Sequence, residues 1–166
     1  DKIRIGMEGG LRPVHWQVPR PASSRSPSIT CSAYADGYDV QIAKIVCKAL
    51  GGEPVAVKQS FSGLIDSLNN GQIDLIIAGM SATPEREESV GFSDPYFIGY
   101  FGLFVKEGSP YQNATKLSDF SGATVLGQKD TMLDTVIDEI PGVVHKNPVD
   151  SVPRCSRTCC RALVTL

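Results

Sequence analysis

The sequence predicts an α/β protein with parallel strand pairing, arranged as two lobes. Three observations predict it. Short apolar strand segments alternate with stretches of helical periodicity along the body of the chain. Residues 73–79 form a nearly continuous apolar run, as a strand covered on both faces requires. A second strand–helix–strand series begins only after an extended crossing segment, residues 96–105, so one lobe is followed by another.

The elements follow in order. Residues 2–7 alternate apolar and polar and then meet Gly9-Gly10, which predicts a first strand. Residues 39–50 place Ile42, Ala43, Ile45, Val46, Ala49 and Leu50 at helical spacing. Asp39 sits at the positive end of that helix, and Gly51-Gly52 stop it. Cys47 lies on its apolar face and reads as a buried thiol. Residues 54–57 predict a strand. Residues 60–68 predict a helix with Phe61, Leu64, Ile65 and Leu68 on one face, ended by Asn69-Asn70-Gly71. After the strand at 73–79, Thr83-Pro84-Glu85-Arg86-Glu87 reads as an N-cap, a proline at the first helical position and a short helix. In the second lobe, strands are expected at 100–106, 123–127 and 142–145, and helices at 116–120 and 131–137. No internal repeat is found.

Charge is distributed unevenly. The 166 residues carry 16 Lys+Arg against 18 Asp+Glu, a net charge of -2, with 42% hydrophobic content. That composition excludes a wholly disordered chain and a generally basic coat for nucleic acid. No run of 18 apolar residues predicts a membrane-spanning helix. Five cysteines, an odd number, exclude a fully paired disulfide framework within one chain. The chain opens on Asp1-Lys2-Ile3 with no signal-like stretch, so the expectation is a cytoplasmic protein or one whose leader has been removed. Arg12, Arg20, Arg25, Arg154, Arg157 and Arg161 fall in two segments, 9–35 and 151–166, and neither contains an Asp or Glu. The expected organisation is a first lobe over 1–95 with 9–35 irregular, a crossing segment over 96–105, a partial second lobe over 106–150, and a foreign-looking tail over 151–166.

Four stretches carry a resemblance: Gly37-Tyr38-Asp39-Val40, Phe61-Ser62-Gly63-Leu64-Ile65, the run from Ile73 through Gly79-Met80-Ser81-Ala82-Thr83-Pro84-Glu85-Arg86, and Phe92-Ser93-Asp94-Pro95-Tyr96. Over residues 1–8 and 36–150 the chain resembles extracytoplasmic solute-binding proteins of the polar-amino-acid class, which feed ABC importers. The resemblance implies a periplasmic-binding-protein-like architecture, the first lobe mostly present and the second incomplete. It implies an amino acid held between the lobes, delivery to the membrane permease of an ABC importer, a monomer outside the cytoplasm, and no cofactor, metal or catalytic residue. Arg86 offers a planar fork for the ligand's carboxylate, which a lysine could not reproduce. Gly79 would supply a backbone acceptor for the ammonium and Ser81 a hydroxyl, with Phe61 as an aromatic wall. Gln128 and Thr131 match the turn into a second-lobe helix, whose N–H groups favour an anion, and Glu8 matches an acidic position after the first strand. Each has a plainer alternative: a surface arginine paired with Glu87 or Glu88, a core phenylalanine, turn and cap residues at Ser81, Thr83 and Thr131.

The chain departs from the family twice. Leu11 stands where an aromatic lid is expected, with Trp16 as a substitute, and the segment after Asp150 lacks the acidic strand end and the return crossing. A shifted reading frame accounts for the acid-free, arginine-rich character of both segments; a divergent loop and a truncated, non-functional product are the other readings. A zinc half-site at Cys155, Cys159 and Cys160 lacks a second pair. An enzyme of the cyclohexadienyl dehydratase kind on the same fold would have only Glu8 and His15 as acid–base groups.

Overall fold

The computed structural model describes residues 1–11, 14–19, 26–27 and 34–151. It falls into two compact units, Asp1–Asp94 and the residues from Pro95 onward. The first is built on β1 (Lys2–Met7), the central strand of a three-stranded sheet. β1 pairs in parallel with β6 (Glu53–Lys58) along its whole length and with β7 (Leu75–Ile76) at Ile5 and Gly6. Its central place explains why Ile5 is fully buried and Met7 nearly so.

Helix α1 (Tyr38–Ala49) joins the two sheets of this unit. It turns Val40, Ala43 and Cys47 into a core with Ile5, Ala56 and Val57, and it carries Asp39 in its first turn and Lys48 in its last, both favourable to the helix dipole. Burial raises the Cys47 thiol pKa. A 3₁₀ turn at Phe61–Gly63 leads into α2 (Leu64–Asn69), which seats Phe61 and Leu64 in the same core.

Two expectations change here. Residues 9–35 are not simply irregular. Their described part forms a four-stranded antiparallel sheet with Asp36, in the order β2 (Gly10–Leu11), β3 (His15–Val18), β5 (Tyr34–Asp36), β4 (Ser26–Pro27). The ladder is a backbone property, Trp16 facing Asp36 and Val18 facing Tyr34, and needs no regular apolar alternation. The strand expected over 73–79 narrows to Leu75–Ile76, because β7 finds β1 only over two residues, although Ile73, Ile77 and Ala78 are buried.

The second unit holds a parallel pair, β8 (Thr124–Val125) and β9 (Val144–His145), continued by a bridge between Gln128 and Val149. A 3₁₀ turn at Leu117–Phe120 precedes it. Between its strands lie α4 (Met132–Thr135) and a 3₁₀ turn at Val136–Glu139. Ala123, Val125 and Ile137 form its core, joined by Leu103, Leu133 and the stacked rings of Tyr111 and Phe120, 5.9 Å apart. Gly127 makes the strand-to-helix packing possible: a Cβ there would stand 2.6 Å from the Asp134 Cα. The strand expected over 100–106 is absent apart from a bridge at Val105. No described strand runs beside residues 98–104, and β-prone side chains without a partner make no ladder. Among the described residues no helix is long and apolar enough to cross a membrane.

Candidate ligand-binding site

Parallel strands bring their carboxyl ends to one edge of a sheet, and the chain segments leaving that edge line a crevice. Three segments leave the first unit's parallel sheet there. Glu8 directly follows β1 and is buried; Phe61 comes three residues after β6; Gly79 comes three residues after β7. Gly79 turns the chain at a φ of 60°, a left-handed conformation that glycine adopts without strain.

Beyond that turn the chain enters α3 (Pro84–Glu87). Pro84 takes the first helical position, where a missing N–H costs nothing, and the Thr83 hydroxyl accepts the Arg86 backbone N–H at 3.4 Å. This short helix aims Arg86 back along its own approach. The Arg86 Nη1 donates to the Ser81 carbonyl at 2.7 Å, and the guanidinium carbon lies 5.5 Å from the centre of the Phe61 ring. One contact fixes the edge of the guanidinium and the other fixes its face, the ring contact contributing about 0.5–1 kcal/mol. Phe61 is itself held in the core, so the platform under the cation is rigid. A planar cation held at the edge of a parallel sheet can take a carboxylate through paired N–H donors.

The second-unit candidates sit at the carboxyl end of β8 and are buried. The Thr131 hydroxyl donates to the Gln128 carbonyl at 2.7 Å, and the Gln128 amide donates to the Asp150 carbonyl at 3.2 Å. Thr131 is the N-cap residue of α4, yet its side chain makes no cap bond. The helix expected to offer N–H groups to an anion is only four residues long, and the Thr131 hydroxyl is committed to the backbone.

Three polar arrangements were not foreseen. The His15 Nδ1–H donates to Asp39 Oδ2 at 2.9 Å with both side chains essentially inaccessible, while His15 Nε2 has no partner among the described residues. Sequence reading noticed each residue separately, Asp39 as a helix-end charge and His15 as a cleft acid or base. In the second unit His145 lies between Asp134, at 2.9 Å from Nε2, and Asp138, at 2.8 Å from Nδ1. These two carboxylates raise the His145 pKa. On the first unit's surface the Arg4 guanidinium and backbone N–H hold the Asp74 carboxyl below the usual carboxylate range. Trp16, proposed as a lid, is half-buried and its backbone is paired within the antiparallel sheet. The Leu11 side chain, the tail after Ser151 and its cysteines lie outside the described residues. Among the described residues no group of His, Cys, Asp and Glu is arranged to hold a metal ion.

Residues 27–153 match the family model of the bacterial extracellular solute-binding proteins, family 3. The chain belongs to this family. The arginine-binding extracellular protein ArtP of Bacillus subtilis (strain 168) is 38% identical over 89 residues, covering 54% of this chain and 34% of that protein. The octopine-binding periplasmic protein of Rhizobium meliloti is 32% identical over 141 residues, covering 85% of this chain and 42% of the relative. A solved structure of an ancestral arginine-binding protein bound to glutamine matches with a TM-score of 0.81 at 26% identity, over 98% of this chain and 68% of that one. The α/β fold in two units is thus the one the family resemblance implied. The chain spans less than half the length of these two relatives.

Proposed function

We propose that this chain binds a polar amino acid, with Arg86 gripping the carboxylate, and delivers it outside the cytoplasm to the membrane permease of an ABC importer. The observation that carries the reading is the double anchoring of Arg86, to the Ser81 carbonyl at 2.7 Å and over the Phe61 ring at 5.5 Å. A guanidinium fixed on two sides loses little conformational freedom when a carboxylate arrives, which favours binding. Phe61 serves as the wall beside the ligand, the Gly79 carbonyl and Glu8 face its ammonium, and the Ser81 hydroxyl adds a polar contact. Gln128 and Thr131 remain in the reading as second-unit contacts, offered through the turn after β8 rather than through a long helix. The arginine- and octopine-binding relatives support a polar ligand of this kind. The reading is binding without turnover.

Calorimetry of the chain against arginine, glutamine, histidine and lysine tests it. At least one should bind, and Arg86→Lys, which keeps the charge but loses the fork, should weaken it about 10- to 100-fold. Unchanged affinity in a folded Arg86→Lys variant, or no binding by the parent chain, would overturn the proposal.

A further inference from the structure

Strand β3 runs across the exits of the first unit's parallel sheet. In the order β6, β1, β7, these strands end at Lys58, at Met7 before Glu8-Gly9, and at Ile76 before the Gly79 turn. Gln17 of β3 accepts a hydrogen bond from the Lys58 Nζ at 3.1 Å, and its Cγ lies 3.3 Å from where a Cβ on Gly9 would stand. At the other end Val14, which is buried, brings its Cγ1 to 3.7 Å from the corresponding point on Gly79. Three residues of extended chain cover about 10 Å, close to the two strand spacings between β6 and β7. One short segment therefore touches the chain leaving all three strands.

The start of α1 fixes where that segment lies. The Asp39 backbone N–H donates to the Val14 carbonyl at 2.9 Å, and the His15 Nδ1–H donates to the Asp39 carboxylate at 2.9 Å, with both side chains buried. Gly37 permits the approach: it holds a φ of 126°, and a Cβ there would stand 2.4 Å from the Val14 carbonyl oxygen. The pair carries a cost, since His15 Nε2 is buried without a partner among the described residues, whereas an apolar pair would leave no such atom. What a hydrogen bond supplies and an apolar contact does not is direction. We infer that His15 and Asp39 are positioning residues of the ligand site, their bond seating Val14 against the Gly79 turn and so setting the Gly79 carbonyl that faces the ligand's ammonium. The role of that carbonyl rests on the proposed function, but the seating of Gly79 by Val14 does not.

Two readouts on the full chain separate positioning from a merely structural role. The double variant His15→Leu/Asp39→Leu removes the directed bond and leaves an apolar contact. His15→Asn keeps an N–H for the Asp39 carboxylate and has no counterpart of Nε2. Without ligand, the amide resonances of Gly79 and Met80 should shift in the double variant and return close to their parent positions in His15→Asn. Gly71, which precedes β7 at the other end of the sheet, should not shift in either. In calorimetry with the amino acid that the parent binds, affinity should fall about 3- to 30-fold in the double variant and stay within about twofold in His15→Asn. Val14→Ala, which leaves the pair intact, should shift the same two resonances and weaken binding about threefold or more, and it serves as the test if the double variant does not fold. Unmoved Gly79 and Met80 resonances, or a folded double variant that binds like the parent, overturns the inference. So does a His15→Asn variant that binds as weakly as the double variant. A parent that binds no amino acid overturns the ligand reading instead, and the resonances then decide the seating of Gly79 by themselves.

Discussion

The buried His15–Asp39 pair ties the antiparallel sheet to α1, and its removal gives the sharpest stability prediction. Asp39→Ala leaves His15 with both ring nitrogens buried and unpartnered, where the parent leaves only Nε2. Leaving a buried polar group without its hydrogen-bond partner costs about 1–3 kcal/mol, more where the partner lost is charged. Loss of the acid in the first turn of α1 adds up to about 1 kcal/mol. The Asp39 N–H to Val14 carbonyl bond, 2.9 Å, survives the substitution and keeps the segment's path. Trp16, the chain's one tryptophan, sits in β3 beside His15, so its fluorescence reports this sheet. In urea the midpoint should fall by about 1–3 M at ordinary m-values. Asp39→Asn, which keeps an acceptor for Nδ1–H, should cost less than Asp39→Ala. The double variant His15→Leu/Asp39→Leu should be more stable than Asp39→Ala, because no buried polar group is left without a partner. A cost below about 1 kcal/mol for Asp39→Ala would refute the reasoning.

Three further predictions concern other elements. The His145 pKa is raised above its ordinary 6.5 by Asp134 and Asp138, so its stabilising contribution is complete below pH 6.5 and fades as pH rises through the folded-state value. Second-unit stability, followed by denaturation at several pH values, should therefore decline above pH 6.5, and His145→Gln should flatten that decline. Gly127→Ala should destabilise the second unit by about 1–3 kcal/mol, since the clash is with the Asp134 backbone rather than a movable side-chain end; wild-type thermal stability of that variant would contradict the packing. Phe61→Leu removes the ring under Arg86 while keeping an apolar core residue, so ligand affinity in calorimetry should drop several-fold with a stability loss below about 1.5 kcal/mol.

Much of the first unit was legible because its signals are local. The alternation in residues 2–7, the helical spacing from Ile42 to Ala49 and the glycine stop gave β1 and α1 nearly to the residue. The Thr83-Pro84 cap gave α3, since the capping bond spans three residues. What sequence missed was long-range or carried by backbone. His15 and Asp39 are 24 residues apart, and neither has a spacing that announces the other. The antiparallel sheet within 9–36 runs on carbonyls and N–H groups, to which prolines and serines give no periodic label. Residues 100–106 mislead for the converse reason: their β propensity is high, but a strand needs a neighbour. At the candidate site, the family motif drew attention to Arg86 and Phe61. The Ser81 partner of Arg86 turned out to be its carbonyl, a group every residue carries and no motif marks. Thr131 was placed correctly at a helix start, but its hydroxyl bonds the Gln128 carbonyl instead of capping.

The central claim is that Arg86 recognises a carboxylate, and it is tested most directly on the ligand side. The amino acid that binds the parent chain in calorimetry should be compared with its carboxyl-amidated counterpart, which keeps the ammonium and side chain but carries no anion. The account predicts affinity for the free acid reduced at least about 100-fold in the amide, and no further loss for the amide when Arg86 is replaced by alanine. Equal affinity for acid and amide, or binding of neither, would contradict it.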